Sequence, residues 1–155
     1  MHPFVKTAKS FCKIIEKNQD YKPRAFKMIL YKSILQLLYH VAKLSDEDIY
    51  SVSKYDLDAS TIFSELKEIF STKNFYKEIY NPYDFNDIEP VIGSLADDLT
   101  DIYKELKPGL IKWKKVNKKK KRKILSTWKF TFKIHWGEHA TGAVRALYYQ
   151  LYTKQ

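Results

Sequence analysis

The amino-acid sequence points to an all-α domain, a bundle of about five helices. Three observations carry that expectation. Apolar residues recur at three- and four-residue intervals through most of the 155 residues. No period-two strand is read along the chain. Glycine and proline together number nine, too few for a turn-rich β-sandwich or a low-complexity chain. The length suits a single domain over residues 1–155 with a real core.

Each element follows from its pattern. Over residues 3–18, Phe4, Ala8, Phe11 and Ile15 repeat at helical spacing, with Cys12 on the apolar side. Residues 22–43 form the strongest helix. Pro23 suits its first turn, and Phe26, Leu30, Ile34, Leu37 and Val41 run along one face. Tyr31, Leu35, Leu38 and Ala42 widen that face, so this helix is expected at the centre. Residues 44–57 read as a polar turn. Asp58 or Ser60 is a candidate cap for a third helix faced by Ile62, Phe63, Leu66, Ile69 and Phe70. Residues 72–93 read as a long loop holding Phe75, Tyr76, Tyr80, Tyr83 and Phe85. So much aromatic area is expected to pack down as an ordered cover over the bundle, its partner surface being this chain or another one.

Ser94 with Asp97 fits a cap for the fourth helix, whose stripe is Leu95, Leu99, Ile102, Tyr103 and Leu106. Pro108-Gly109 is expected to end or bend it. Residues 124–153 are apolar nearly all round. As one rod from Lys118 to Tyr152 they would reach roughly 50 Å, at about 1.5 Å per residue, longer than a domain of this size is wide. The rod is therefore expected to project, fray or bend near Gly137. The segments 94–107 and 124–150 are expected to pack together, with Trp128 and Phe132 buried.

The formal charge of +10 is local. Residues 112–123 (KWKKVNKKKKRK) hold nine of the 28 basic residues and no acid, leaving 19 basic against 18 acidic residues elsewhere. The run reads as an exposed connection, dispensable for folding. Lys118, Lys119, Lys120, Lys121, Arg122 and Lys123 are the candidates for nucleic-acid contact. With Trp113 as the run's one aromatic and no second basic face, nucleic acid is not the expected partner. The N-terminus lacks the apolar core of a signal peptide, and no stretch reaches the roughly 18–20 apolar residues of a membrane span. With one cysteine and no disulfide framework, a cytoplasmic location is expected.

The chemistry concentrates in GSLADDLTDIYKELKPGL (93–110) and WKFTFKIHWGEHATGAVRALYYQL (128–151). These hold all four glycines, and Gly137 and Gly142 fall inside a helix, where another backbone or a ligand is expected to pack closely. His135 and His139, four apart, share a face with Trp128, Phe132, Ala143 and Ala146, so both rings are expected to be substantially buried and to need polar partners. Asp97, Asp98, Asp101 and Glu105 lie on the facing helix. A helical wheel puts Asp97 and Asp101 opposite the apolar stripe, and Asp98 and Glu105 on its flanks. Arg145 is placed to pair with one of these acids. Three readings stand: a divalent-metal site of His135 and His139 with Asp98, a metal-free network fixing helix register, or a ligand pocket without metal. Glu138 does not follow His135 directly, so this is not the H-E-x-x-H arrangement. No nucleophile elbow or glycine-rich phosphate loop is present, and Cys12 has no acid–base partner near it in sequence. His2 reads as an unstructured terminus. His40, near a helix C-terminus, reads as a favourable partner for the dipole.

The same segments resemble an uncharacterised bacterial family, a domain of unknown function. Its members carry a "gSLaDDLaDIYrDLK-GL" segment followed by "HWG-H…A-RAL". Here these read GSLADDLTDIYKELKPGL and HWGEHATGAVRAL, approached by IYNPYDFNDIEPVIGSL. The N-terminal half shares only the helical patterning. The resemblance implies a small helical bacterial cytoplasmic protein and supplies no activity. The function expected on these grounds is a non-enzymatic interaction or regulatory module, with a protein partner or self-association. The alternatives are a metal- or small-ligand-dependent enzyme using the Asp/His cluster, and an anion- or nucleic-acid-binding accessory protein acting through 112–123. No cofactor is expected beyond a divalent metal in the first alternative.

Overall fold

A computed structural model describes residues 1–46, 57–79 and 81–153. Most of the polar turn expected over 44–57, and Tyr80, lie outside the described residues. The architecture is a helical bundle with one small antiparallel ribbon. In chain order the elements are α1 (Pro3–Glu16), α2 (Pro23–Ala42), α3 (Ser60–Phe70), β1 (Phe75–Glu78), β2 (Val91–Ser94), α4 (Leu95–Trp113), α5 (Lys118–Thr131) and α6 (Gly137–Tyr152). A π-helical turn, Phe132–Trp136, joins α5 to α6 without interruption, so the two count as one rod among five.

The core sits where α1, α2, α4 and α6 meet, with α3 against α4. Phe4, Phe11, Ile15, Phe26, Leu30, Ile34, Leu37, Leu99, Leu106 and Leu147 are wholly buried there. Cys12 is buried too, and desolvation pushes its thiol far up, which fits an inert structural side chain. α2 is buried along one stripe but not all round: Leu35 and Tyr39 are exposed, because the helix borders the bundle on that side. His2 is not loose. Its Nδ1 accepts the Phe4 amide at 3.3 Å and caps α1 ahead of Pro3. Among the described residues no helix is long and apolar enough to cross a membrane.

The segment 72–93 departs most from expectation. Its ends pair as a ribbon, Phe75 opposite Ser94 and Tyr76 opposite Gly93. The four-residue strands are too short to show a period, and the connection between them is too long for a tight-turn signature. Nor does it cover the bundle. Tyr83 and Phe85 are 86% and 85% exposed, and among the described aromatics of the segment only Tyr76 turns inward.

Asn74 explains how the ribbon is tied to α4. It is buried, its Oδ1 accepts the Ala96 amide at 2.9 Å, and its Nδ2 donates to Ser94 Oγ at 2.9 Å. Its carbonyl takes the Leu95 amide, and Ser94 Oγ caps the Asp97 amide as expected. Asn74→Ala leaves buried amides unpaired, so a loss of about 1–3 kcal/mol is expected in chemical denaturation. Asn74→Asp should lose less, since it keeps the acceptor oxygen.

α4 does not stop at Pro108-Gly109 but runs on to Trp113. The Trp128 ring lies against Gly109, and its Nε1 donates to the Glu105 carbonyl at 3.2 Å. The rod that follows carries a π turn just ahead of Gly137, the place where a bend is expected. Trp128 is buried, while Phe132 is only half-buried.

Candidate metal centre

One row of α4 faces the rod made by α5, the π turn and α6. Asp98, Asp101 and Glu105 stand at i, i+3 and i+7, which puts them on one side of the helix. Opposite them come His139 from the first turns of α6 and His135 from the π turn. A π turn inserts one residue into the ladder and re-aims the side chains around it, a device common at functional sites.

Each imidazole is held by its own carboxylate. His139 Nδ1 lies 2.9 Å from Asp98 Oδ1, and His135 Nδ1 lies 2.9 Å from Glu105 Oε1. A carboxylate accepts only, so each Nδ1 carries the hydrogen and each Nε2 is turned the other way. Both Nε2 atoms face one oxygen: Asp101 Oδ2 is 3.5 Å from that of His139 and 3.9 Å from that of His135. The two rings meet edge to face at 4.9 Å. Ligand atoms of Asp101, His135 and His139 all fall within 4.8 Å of one another.

Burial is graded across the cluster. Asp98 is buried and Tyr76 donates its hydroxyl to Asp98 Oδ2 at 2.7 Å. The His139 side chain is 24% exposed and that of His135 is 45% exposed, so His135 stands at the mouth rather than in the core as expected. The titration of the inner groups follows. Burial raises the Asp98 carboxyl, opposed by its bonds to His139 and Tyr76. The bond to Asp98 raises His139 above the ordinary imidazole value. Burial first, then the Asp98 charge, raises the Tyr76 phenol, and burial also raises Glu78 on the same strand. Tyr76 is therefore a neutral donor throughout the physiological range.

Gly142 accounts for the fit. A Cβ there would meet the Tyr76 hydroxyl at 2.5 Å and Glu78 Oε1 at 2.6 Å, so the glycine lets β1 close over the cluster. The close neighbour of Gly142 is thus a pair of side chains from the ribbon, not the backbone or ligand expected at an interior glycine.

The structure gathers Asp98, Asp101, Glu105, His135 and His139, and separates the remaining candidates. Asp97 points to solvent. Arg145 makes no ion pair among the described residues and lies in a groove on the other side of Tyr76. Lys118, Lys119, Lys120, Lys121, Arg122 and Lys123 form the first turns of α5, mostly exposed. They stand at the positive end of that helix's dipole, so its start depends on the Asn117 side chain, which accepts the Lys120 amide. Sequence reasoning missed Tyr76 and Glu78, since no strand signal pointed to them. It set Asp101 on the wrong side, although the spacing 98, 101, 105 carries the shared row.

A helical domain with a carboxylate–histidine cluster between α4 and α6 is the class these features define. The chain belongs to the family described as "Domain of unknown function (DUF5063)", whose model matches residues 1–153. It is similar to the crystal structure of protein BF1032 from Bacteroides fragilis, with a TM-score of 0.82 and 19% identity, covering 99% of this chain and 92% of that one. That likeness is one of fold. No curated protein matches the chain.

Proposed function

We propose that this protein is a divalent-metal-binding helical domain whose ligands are Asp101 Oδ2 and the Nε2 atoms of His135 and His139. One observation carries the reading: both imidazoles have Nδ1 fixed by a carboxylate, leaving both Nε2 atoms directed at a single Asp101 oxygen. Metal-binding histidines almost always carry such an outer partner, which sets tautomer and orientation. Ligands about 2.0–2.1 Å from a tetrahedral ion stand about 3.3–3.4 Å apart, close to the 3.5 and 3.9 Å separations here. Two nitrogens and one oxygen suit zinc, and also ferrous iron or manganese. Three protein ligands leave a position for water or substrate, the pattern of a reactive rather than a purely structural site. Metal analysis of protein made without a histidine tag tests this, expecting one ion per chain. A metal-free chain with unchanged melting in added metal would reduce the cluster to a register-fixing hydrogen-bond network.

A second reading, an interaction module, is favoured by the ribbon. Tyr83, Phe85, Ile88 and Ile92 expose large apolar surfaces on one arm, and each strand of a two-stranded sheet keeps an open edge. The occupant this favours is a second copy of the chain, since like edges pair antiparallel about a two-fold axis. Sedimentation should then give a dimer that Ile92→Lys with Phe85→Ser converts to a monomer of unchanged melting temperature. A wild-type monomer at high micromolar concentration would overturn it. A cytoplasmic location belongs to the same proposal, supported by the single buried thiol.

A further inference from the structure

We propose that the β1–β2 ribbon is coupled to the metal centre through Tyr76, a positioning residue that fixes Asp98 and, through it, the ring of His139. This coupling rests on the metal reading of the cluster and names what tunes its affinity. The chain of bonds is continuous. Tyr76 Oη donates to Asp98 Oδ2 at 2.7 Å, Asp98 Oδ1 lies 2.9 Å from His139 Nδ1, and His139 Nε2 stands 3.5 Å from Asp101 Oδ2. The two oxygens of one buried carboxylate are thus divided between the ribbon and the imidazole. A carboxylate held at one oxygen alone can turn about its own axis, and the ring it orients turns with it.

The seat of the phenol is built for this contact. Tyr76 points inward from a four-residue strand whose neighbours Phe75 and Lys77 are exposed. Two of the chain's four glycines make room for its hydroxyl end. A Cβ at Gly93 on β2 would meet the Tyr76 Cζ at 2.5 Å, and one at Gly142 on α6 would meet the hydroxyl oxygen at 2.5 Å. Glycine weakens a strand or a helix interior, so two of them around one side chain mark a close approach that the fold sustains. Glu78 is the other carboxyl beside the hydroxyl. A phenol carries one hydrogen, and the 2.7 Å bond commits it to Asp98.

Coupling between two sites is reciprocal. If the closed ribbon tightens the ion, the bound ion holds the ribbon closed by the same factor. Strands of four residues in a two-stranded sheet are marginal on their own, so the ribbon opens often enough for that factor to be read.

Zinc affinity, measured by competition with a chelator, and amide hydrogen exchange of the whole chain test this. Tyr76→Phe keeps the ring and removes the hydroxyl, and it should weaken zinc by about tenfold, the low end for a partner outside the ligands. Saturating zinc should slow exchange of the β1 and β2 amides by about tenfold in the wild type and leave it unchanged in Tyr76→Phe. Gly142→Ala alters no ligand, yet should weaken zinc by a similar factor by pushing the hydroxyl off Asp98, and should add little once Tyr76 is phenylalanine. Lys77→Ala, outward on the same strand, should bind zinc within about twofold of the wild type. Metal-free melting temperatures check folding. A tyrosine that only packs would lower that temperature in Tyr76→Phe and leave both zinc affinity and the zinc-dependent exchange as they were, which would overturn the proposal. If the wild type takes up no zinc, the metal reading fails, and nitrogen NMR of the His139 ring above its titration decides the rest. The ring should then be the Nδ1–H tautomer in the wild type and a mixture in Tyr76→Phe, which would keep Tyr76 as the residue that positions His139. A ring that Tyr76→Phe leaves unchanged in such a chain would overturn the proposal as well.

Discussion

Protein purified without a tag and stripped with chelator should take up one zinc ion per chain, and Asp101→Asn, His135→Ala and His139→Ala should each abolish that stoichiometric binding. At a free metal concentration about a hundred times Kd, the ion should stabilise the fold by about 2.7 kcal/mol. For a domain of this size that is a rise in Tm of roughly 5–10 °C. Asp98→Asn and Glu105→Gln should keep the ion but weaken it by about 10–100-fold, since they orient the rings without touching the metal. A hydrogen-bond network without metal predicts a different pattern. The two carboxylate variants would then destabilise the chain equally with and without zinc, and Asp101→Asn would be nearly neutral. Acidity supplies a further check. The Asp98 contact raises His139, so the imidazolium persists to higher pH than for a free histidine, and the ion must displace a proton. Zinc affinity should therefore rise with pH through that raised value. The metal-free fold carries the opposite sign. A group whose folded value is raised stabilises the chain below its unfolded value, and that contribution is lost as pH climbs through the folded one.

The helices were legible because their apolar stripes are long. The stripe of α4 and the row Phe26, Leu30, Ile34, Leu37 and Val41 bury as their spacing requires. The histidine pair was legible too, through the four-residue spacing. The carboxylate partners were only half so. A helical wheel measures each acid against the apolar stripe of its own helix and carries nothing about where a neighbouring helix lies. Asp101 therefore looked solvent-facing, yet stands between two imidazoles. The ribbon was invisible for another reason. Its stability comes from Asn74 clamping the start of α4 and from Tyr76 lying over Gly93 and Gly142, contacts between residues about 20 to 65 positions apart that no local pattern encodes. Pro108 and Gly109 mislead in the same way. Locally they end a helix, and only the indole that packs on them shows why α4 tolerates both.

That indole sets up the second large effect. Trp128→Ala should cost about 3–5 kcal/mol, from the cavity and the lost bond to the Glu105 carbonyl, and lower Tm by roughly 6–20 °C. Gly109→Ala is the sharper test, because two effects of opposite sign meet there. In an exposed helix interior the change stabilises by about 1 kcal/mol. Here the new methyl would sit 2.5 Å from the Trp128 ring. The ring cannot swing aside, since Phe4 packs against it at 5.3 Å and Trp113 stacks at 6.3 Å. Overpacking of a filled core costs about 1–3 kcal/mol, so Gly109→Ala should destabilise the wild type despite its better propensity. Once Trp128 is alanine the clash is gone and only propensity remains. In that background Gly109→Ala should stabilise by about 1 kcal/mol, and the change of sign across the cycle measures the contact itself. If Gly109→Ala raised the melting temperature with Trp128 in place, the indole would not be seated on α4, and the wall that holds Glu105 and the π turn in register would need a different origin.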